Sequence, residues 1–120
     1  LHCGDNVNFA TINVSSPNTK DLRNFQKSDM LGELLSEVME ANNQLKKSIP
    51  IFIKIAPELK NSELEKIVAS CFEHKLSGII ATNTSTDYTI IKSSKDFTKG
   101  GISGAPLFKK STEVLARLSI

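Results

Sequence analysis

Three short apolar runs, each closed by a turn-forming or polar segment and each followed by further structure-forming sequence, constrain this chain more than any other feature. Asn8 to Val14 (NFATINV) is apolar and β-branched and runs into Ser15-Ser16-Pro17-Asn18, where Pro17 turns Ser16 away from helix. Ile51 to Ile55 (IFIKI) lies between Pro50 and Pro57, and Gly78 to Thr82 (GIIAT) leads into a polar stretch. Between the first two runs, Met30, Leu31, Leu34, Leu35, Val38, Ala41 and Leu45 recur at helical spacing, which predicts a helix over Asp29 to Lys47. Between the second and third, Leu64, Ile67, Val68, Cys71 and Phe72 share one helical face. Ser62 and Glu65 fit a capping box at its start, and His74 and Lys75 fall in its last turn. Apolar strands alternating with amphipathic helices predict an α/β fold with a parallel sheet covered by helices.

The third run is followed by a long polar stretch, Asn83 to Lys110, holding Gly100, Gly101, Gly104 and Pro106. Loops of that length are usually functional, and Tyr88 to Ile91 is a candidate hairpin within it. Ser111 or Thr112 is expected to cap a last helix through Val114, Leu115 and Leu118. No internal repeat, low-complexity tract or linker divides the chain, so one domain is expected. It begins at Leu1 and stops at Ile120 within a helical pattern, and both ends read as cuts within a longer chain.

Charge excludes some functions. Fifteen Lys and Arg residues against thirteen Asp and Glu leave a net charge of +2, too small a field to argue for nucleic acid or an anionic membrane. No apolar run approaches the ~20 residues of a membrane span. Cys3 and Cys71 have no metal or redox spacing and read as reduced, partly buried thiols. His2 and His74 lack matching partners and read as structural, and no metal site is expected.

In parallel α/β folds the chemistry gathers at the carboxyl ends of the strands. That rule collects Asn13, Ser15, Ser16, Asn18 and Thr19 from the first strand, Lys54 from the second, and Thr82, Asn83 and Thr84 from the third. Amides, hydroxyls and one ammonium can orient a flat polar ligand and offset developing negative charge. Lys54 is the most informative, because an ammonium inside an apolar strand needs a counter-charge, solvent or an anionic ligand. A salt bridge to Glu58 would serve as well as a ligand. Asn13 could equally satisfy backbone in a turn. Ser16 in an SSPN turn is, on its own, an ordinary turn residue whose alcohol needs help to act as a base. The Gly100-Gly101-Ile102-Ser103-Gly104 loop could offer N–H groups to a phosphate or a flavin.

Four motifs in order carry a family resemblance. Asn13-Val14-Ser15-Ser16-Pro17-Asn18-Thr19 with Leu22-Arg23 resembles the NxSSPNTxxLR signature of class 2, quinone-linked dihydroorotate dehydrogenases. Lys54-Ile55-Ala56-Pro57 resembles their KIAP strand end, and Ile80-Ala81-Thr82-Asn83-Thr84 their IATNT. Gly100-Gly101-Ile102-Ser103-Gly104-Ala105-Pro106-Leu107 resembles GGLSGxPL, with Ser111-Thr112-Glu113 following. The resemblance spans essentially the whole chain. It departs from the family at Lys20-Asp21, where a glycine is often found, and at Ala105, which replaces a frequent long or basic residue.

The resemblance implies a (β/α)8 TIM barrel that holds FMN at the carboxyl end of its strands. Residues 1–120 would be the central part of that single domain, incomplete at both ends and similar to strands four to six; a whole barrel takes about 250 residues. It implies oxidation of dihydroorotate to orotate in pyrimidine biosynthesis, with hydride transfer to FMN and reoxidation by a quinone. Ser16 resembles the catalytic base, and serine rather than cysteine there indicates class 2. Asn13 resembles the asparagine that touches both substrate and FMN. Asn18, Asn83 and Thr84 resemble substrate ligands, and Lys54, Thr82 and Gly104 resemble FMN-binding positions. Thr19 resembles a residue that helps relay the proton. It also implies peripheral association with the inner membrane, bacterial or mitochondrial, through a segment absent from this chain, and an inactive fragment when alone. A non-enzymatic remnant would keep the same motifs. A small doubly wound binding module would instead place a glycine loop directly after the first strand, where SSPNT stands.

Overall fold

The computed structural model describes residues 6–19, 22–27, 30–91 and 100–119. Three parallel strands, β1 (Ala10–Asn13), β2 (Ile51–Ile55) and β3 (Gly78–Ala81), form one sheet in chain order. Ile12 pairs with Ile53 and Ile53 with Ile79, while Asn13 pairs with Lys54 and Lys54 with Ile80. Side chains alternate across a strand, so this register sorts the sheet into two faces. Ile12, Ile53, Ile55, Ile79 and Ala81 point to the helices and join the apolar core. Asn13, Phe52, Lys54 and Ile80 fall on the other face, which no helix covers among the described residues.

Parallel neighbours need a crossover, and α1 (Met30–Asn43) and α2 (Asn61–Glu73) supply it. Leu31 and Leu35 of α1, Leu64, Ile67 and Cys71 of α2, and Val114 of α3 (Ala105–Leu118) close over the sheet. Leu35, Ile53, Ile55, Ile67 and Val114 are wholly buried, each worth roughly 1.5–3 kcal/mol of transfer free energy. Asn42 is buried on the same side of α1, where its amide bonds both the N–H and the carbonyl of Ile49 at 3.0 Å and steers the chain into β2.

The structure trims and shifts several expected elements. β1 starts at Ala10 rather than Asn8, β3 stops at Ala81, and α1 ends at Asn43, leaving Leu45 in the turn beyond. Met30 and Phe72 were expected in apolar stripes but lie 52% and 80% exposed, because the cores of α1 and α2 centre on Leu31/Leu35 and Ile67/Cys71. α2 begins one residue before Ser62, and its cap is Lys60, whose N–H donates to Glu63 at 2.7 Å; Ser62 and Glu65 form no capping box. His74 caps the end of α2 and Lys75 takes a left-handed conformation (φ 55°) beyond it, so neither lies in the last turn.

The last helix starts six residues before Ser111. Gly104 caps it and Pro106 sits in the first turn, where a missing N–H costs no helical bond. The hairpin around Tyr88 to Ile91 is instead a 3-10 turn, Tyr88–Ile90, started by Asp87. An antiparallel bridge, Ser85 to Ile102, ties the two ends of this long connection together. His74 is structural as expected, its ring lying 3.0 Å from Ser36 Oγ and 2.9 Å from the Ser70 carbonyl. Cys71 is buried and unbridged, and burial pushes its thiol up from 9.0 to about 11. His2, Cys3 and Lys20-Asp21 lie outside the described residues.

Candidate active site

The carboxyl ends of all three strands open on one rim, which carries most of the polar residues singled out in the sequence. Asn13 ends β1, and its register partner Lys54 lies beside it on the uncovered face. Lys54 is not paired with Glu58. No hydrogen bond or ion pair joins its ammonium to a described residue, because Glu58 lies beyond Pro57, where other groups occupy its carboxylate. Lys54 is thus a half-buried cation among Phe52, Ile80 and Asn13, open to an electron-rich ligand edge.

Ser15, not Ser16, organises the amides. It is fully buried, and its hydroxyl donates to Asn13 Oδ1 at 3.0 Å while accepting from Asn83 Nδ2 at 3.0 Å. Asn83 Nδ2 also reaches Asn13 Oδ1 at 3.3 Å, and Asn83 Oδ1 accepts the Thr84 N–H at 2.8 Å. These bonds hold the two amides against each other and leave the Asn13 NH2 group free to donate outward. Ser16 is half-buried on the next turn of the loop. Its Oγ accepts the Asn18 N–H at 3.3 Å, which leaves its own proton uncommitted among the described residues. Asn18 and Thr19 are exposed beside it.

The glycine loop closes on the same rim. A Cβ on Gly101 would overlap the Thr84 side chain and come within 3.3 Å of Pro17, so only glycine allows this approach. Gly104 (φ 73°) lies at the start of α3, with no hydrogen bond to the Asn13–Asn83 cluster among the described residues. Thr82 turns its hydroxyl to the Asn83 carbonyl at 2.9 Å. The rim therefore gathers Asn13, Ser16, Lys54, Asn83 and Thr84, with Gly104 and Thr82 at its margins.

Beneath the rim is a polar clamp that strand-end reasoning does not select. Arg23 donates to the Ser15 carbonyl at 3.1 Å, the Thr84 carbonyl at 3.1 Å, Thr86 Oγ1 at 3.0 Å and Glu58 at 2.9 Å. Glu58 also accepts from Ser85 Oγ at 2.6 Å and from the Thr86 N–H at 3.1 Å, and Lys110 stands 3.8 Å away. Gln26, also buried, accepts the Ala56 N–H at 2.9 Å. The only trace of the clamp in the sequence is the Leu22-Arg23 pair closing the first motif and the glutamate after Lys54-Ile55-Ala56-Pro57. Asp87, held by the Thr89 hydroxyl and then by Lys110, has its carboxyl below the ordinary value of 3.8. An open cleft of about 800 Å³ borders Glu58, Asp87, Lys110 and Arg117. It is a side cleft away from the rim, and Lys110 there is already spent on Glu58 and Asp87.

Comparison with known proteins agrees with this architecture. Residues 2–120 match the family model described as dihydroorotate dehydrogenase. The chain is 50% identical over 115 residues to the dihydroorotate dehydrogenase (quinone) of Brucella anthropi, covering 92% of this chain and 32% of that protein. It is 52% identical over 116 residues to the mitochondrial dihydroorotate dehydrogenase (quinone) of Cyclocybe aegerita, covering 92% and 35%. Two crystal structures of DHODH from Eimeria tenella superpose closely. The ligand-free form gives a TM-score of 0.85 at 32% identity, covering 95% of this chain and 36% of the other. The complex with ferulenol gives 0.81 at 29%, covering 96% and 35%. The chain spans about a third of the length of the curated relatives it matches. It belongs to the dihydroorotate dehydrogenase family, and its three βα units are a segment of that family's (β/α)8 barrel.

Proposed function

We propose that this segment supplies the substrate-facing rim of a quinone-dependent dihydroorotate dehydrogenase, which oxidises dihydroorotate to orotate for pyrimidine biosynthesis. The observation that carries the reading is the convergence of Asn13, Ser16, Lys54, Asn83 and Thr84 on one rim, in a chain about half identical to enzymes of that name. Asn13, Asn18, Asn83 and Thr84 are the substrate ligands in this proposal. Amides fixed from two strand ends hold a flat pyrimidine in one pose, and orientation of this kind is a large part of catalysis. Ser16 is the base that takes the proton from C5. Its oxygen already accepts an N–H, which helps it bear charge as its own proton leaves, with Thr19 beside it to pass that proton on.

The rim also fits an FMN. The Lys54 ammonium has no described partner, stands on the open sheet face next to Asn13 and is flanked by Phe52 and Ile80. A flat ring laid there would meet an apolar bed, a fixed cation at one edge and the outward NH2 group of Asn13. Thr82 and Gly104 are the further FMN contacts in this reading. Bound there, FMN would supply the acceptor for the C6 hydride and the link to a quinone. Membrane association belongs to the same proposal; no described helix is long and apolar enough to cross a membrane.

The test is Ser16→Ala in the intact enzyme carrying this segment. Anaerobic reduction of the bound flavin by dihydroorotate should slow by about 10²–10⁴-fold with flavin content unchanged. Ser16→Cys should retain part of the rate, and the wild-type rate should rise with pH as the base loses its proton. Wild-type reduction by Ser16→Ala refutes the assignment.

A further inference from the structure

We infer that Arg23 and Glu58 are positioning residues for catalysis: together they set the Ser16 loop against the Asn83-Thr84 loop without touching substrate. The inference rests on the rim reading above. One guanidinium bonds the carbonyl of Ser15, next to the proposed base, and the carbonyl of Thr84, a proposed substrate ligand. These groups come from β1 and β3, which are not neighbours in the sheet; β2 lies between them. Glu58, from the loop after β2, completes the bridge by binding Arg23, Ser85 and the Thr86 N–H.

All three loops therefore hang on one ion pair. Its side chains are only 22% and 28% exposed, so screening by solvent is limited. The planar fork matters more than the charge, because Nε and both terminal nitrogens of Arg23 each hold a different acceptor. A lysine carries the same charge on a single nitrogen and cannot span them. Asn13, Ser16, Asn83 and Thr84 must hold one pyrimidine together, so a shift of one loop against the other separates the base from its proton. A displacement of about 1 Å of this kind costs on the order of 10²-fold in rate.

The experiment is Arg23→Lys in the intact flavin-loaded enzyme, scored as kcat per bound flavin and as KM for dihydroorotate. The expected result is a fall in kcat per bound flavin on the order of 10²-fold, with a smaller change in KM. A residue that merely stabilises the fold would lower flavin content and thermal midpoint and leave kcat per bound flavin intact, and that outcome overturns the inference. If Arg23→Lys does not hold flavin, Glu58→Gln takes its place. It keeps the shape and the Ser85 bond while removing the ion pair, and the same fall is expected at smaller size; unchanged kcat per bound flavin again overturns it. Placing Arg23→Lys or Glu58→Gln on Ser16→Ala should add little further loss, since the group being positioned is gone. Failure of the Ser16 assignment is seen separately, as a Ser16→Ala enzyme that still reduces its flavin.

Discussion

Ser15→Ala removes a hydroxyl that never reaches the ligand side of the rim, yet it should cost the enzyme most of its rate. The hydroxyl is fully buried and makes two bonds of 3.0 Å, one donated to Asn13 and one accepted from Asn83. Each is worth about 1 kcal/mol net. Without the hydroxyl, Asn13 Oδ1 keeps only two long bonds, 3.3 Å from Asn83 Nδ2 and 3.4 Å from the backbone N–H of residue 15. Asn83 stays tied to the Thr84 N–H at 2.8 Å, but the Asn13 amide is left on long bonds and its NH2 group loses its fixed outward aim. If the loss of about 2 kcal/mol falls on the oriented complex, kcat/KM drops about 30-fold. The assay is dihydroorotate-driven reduction of a soluble quinone by the intact enzyme, normalised to bound flavin. A Ser15→Ala enzyme whose kcat/KM per flavin matches wild type would show that the serine does not orient these amides.

Gly101→Ala drives a methyl into Thr84, an overpacking that should cost about 1–3 kcal/mol, read as a lower thermal midpoint together with reduced dihydroorotate turnover. The Cys71 thiol is raised from 9.0 to about 11 by burial, so its neutral form is the one the fold favours. Its contribution to stability is complete below about pH 9 and is lost as pH rises toward 11; denaturant melts across that range, and slow alkylation of Cys71 at pH 8 by peptide mass mapping, check this. Expressed alone, the 120-residue chain should self-associate and bind little FMN. Its uncovered sheet face and outer helix faces expose Phe9 (58%), Phe72 (80%) and Phe108 (71%), and a monodisperse yellow monomer in light scattering would contradict this.

The strands and the helices were legible in the sequence, because each depends on residues close together in the chain. A five-residue alternation around Lys54, prolines on either side of it and helical stripes in front of Leu35 and Ile67 state local periods, and local periods survive folding. The rule that parallel sheets place their chemistry at strand ends selects Asn13, Ser15, Ser16, Asn18, Thr19, Lys54, Thr82, Asn83 and Thr84 together, without separating ligand-facing groups from buried ones such as Ser15. Where local signals competed, the sequence misled. Ser111 and Thr112 are good caps by type, but Gly104 and Pro106 begin the helix earlier. Lys54 and Glu58 are complementary in charge and near in sequence, but Pro57 sends the glutamate toward Arg23.

Only the tertiary structure could assign the clamp. Arg23, Glu58 and Ser85 are separated by 35 and 27 positions, and nothing in a one-dimensional pattern relates them. The same holds for Ser15 over Ser16: adjacent hydroxyls in one turn are equivalent on paper, and the direction each faces is decided by which side of β1 meets Asn83 from β3. Chemistry of residue types is written in the sequence. Which neighbour satisfies which buried polar group is settled only when the strands lie side by side, because that satisfaction is a matter of distance and angle across the sheet.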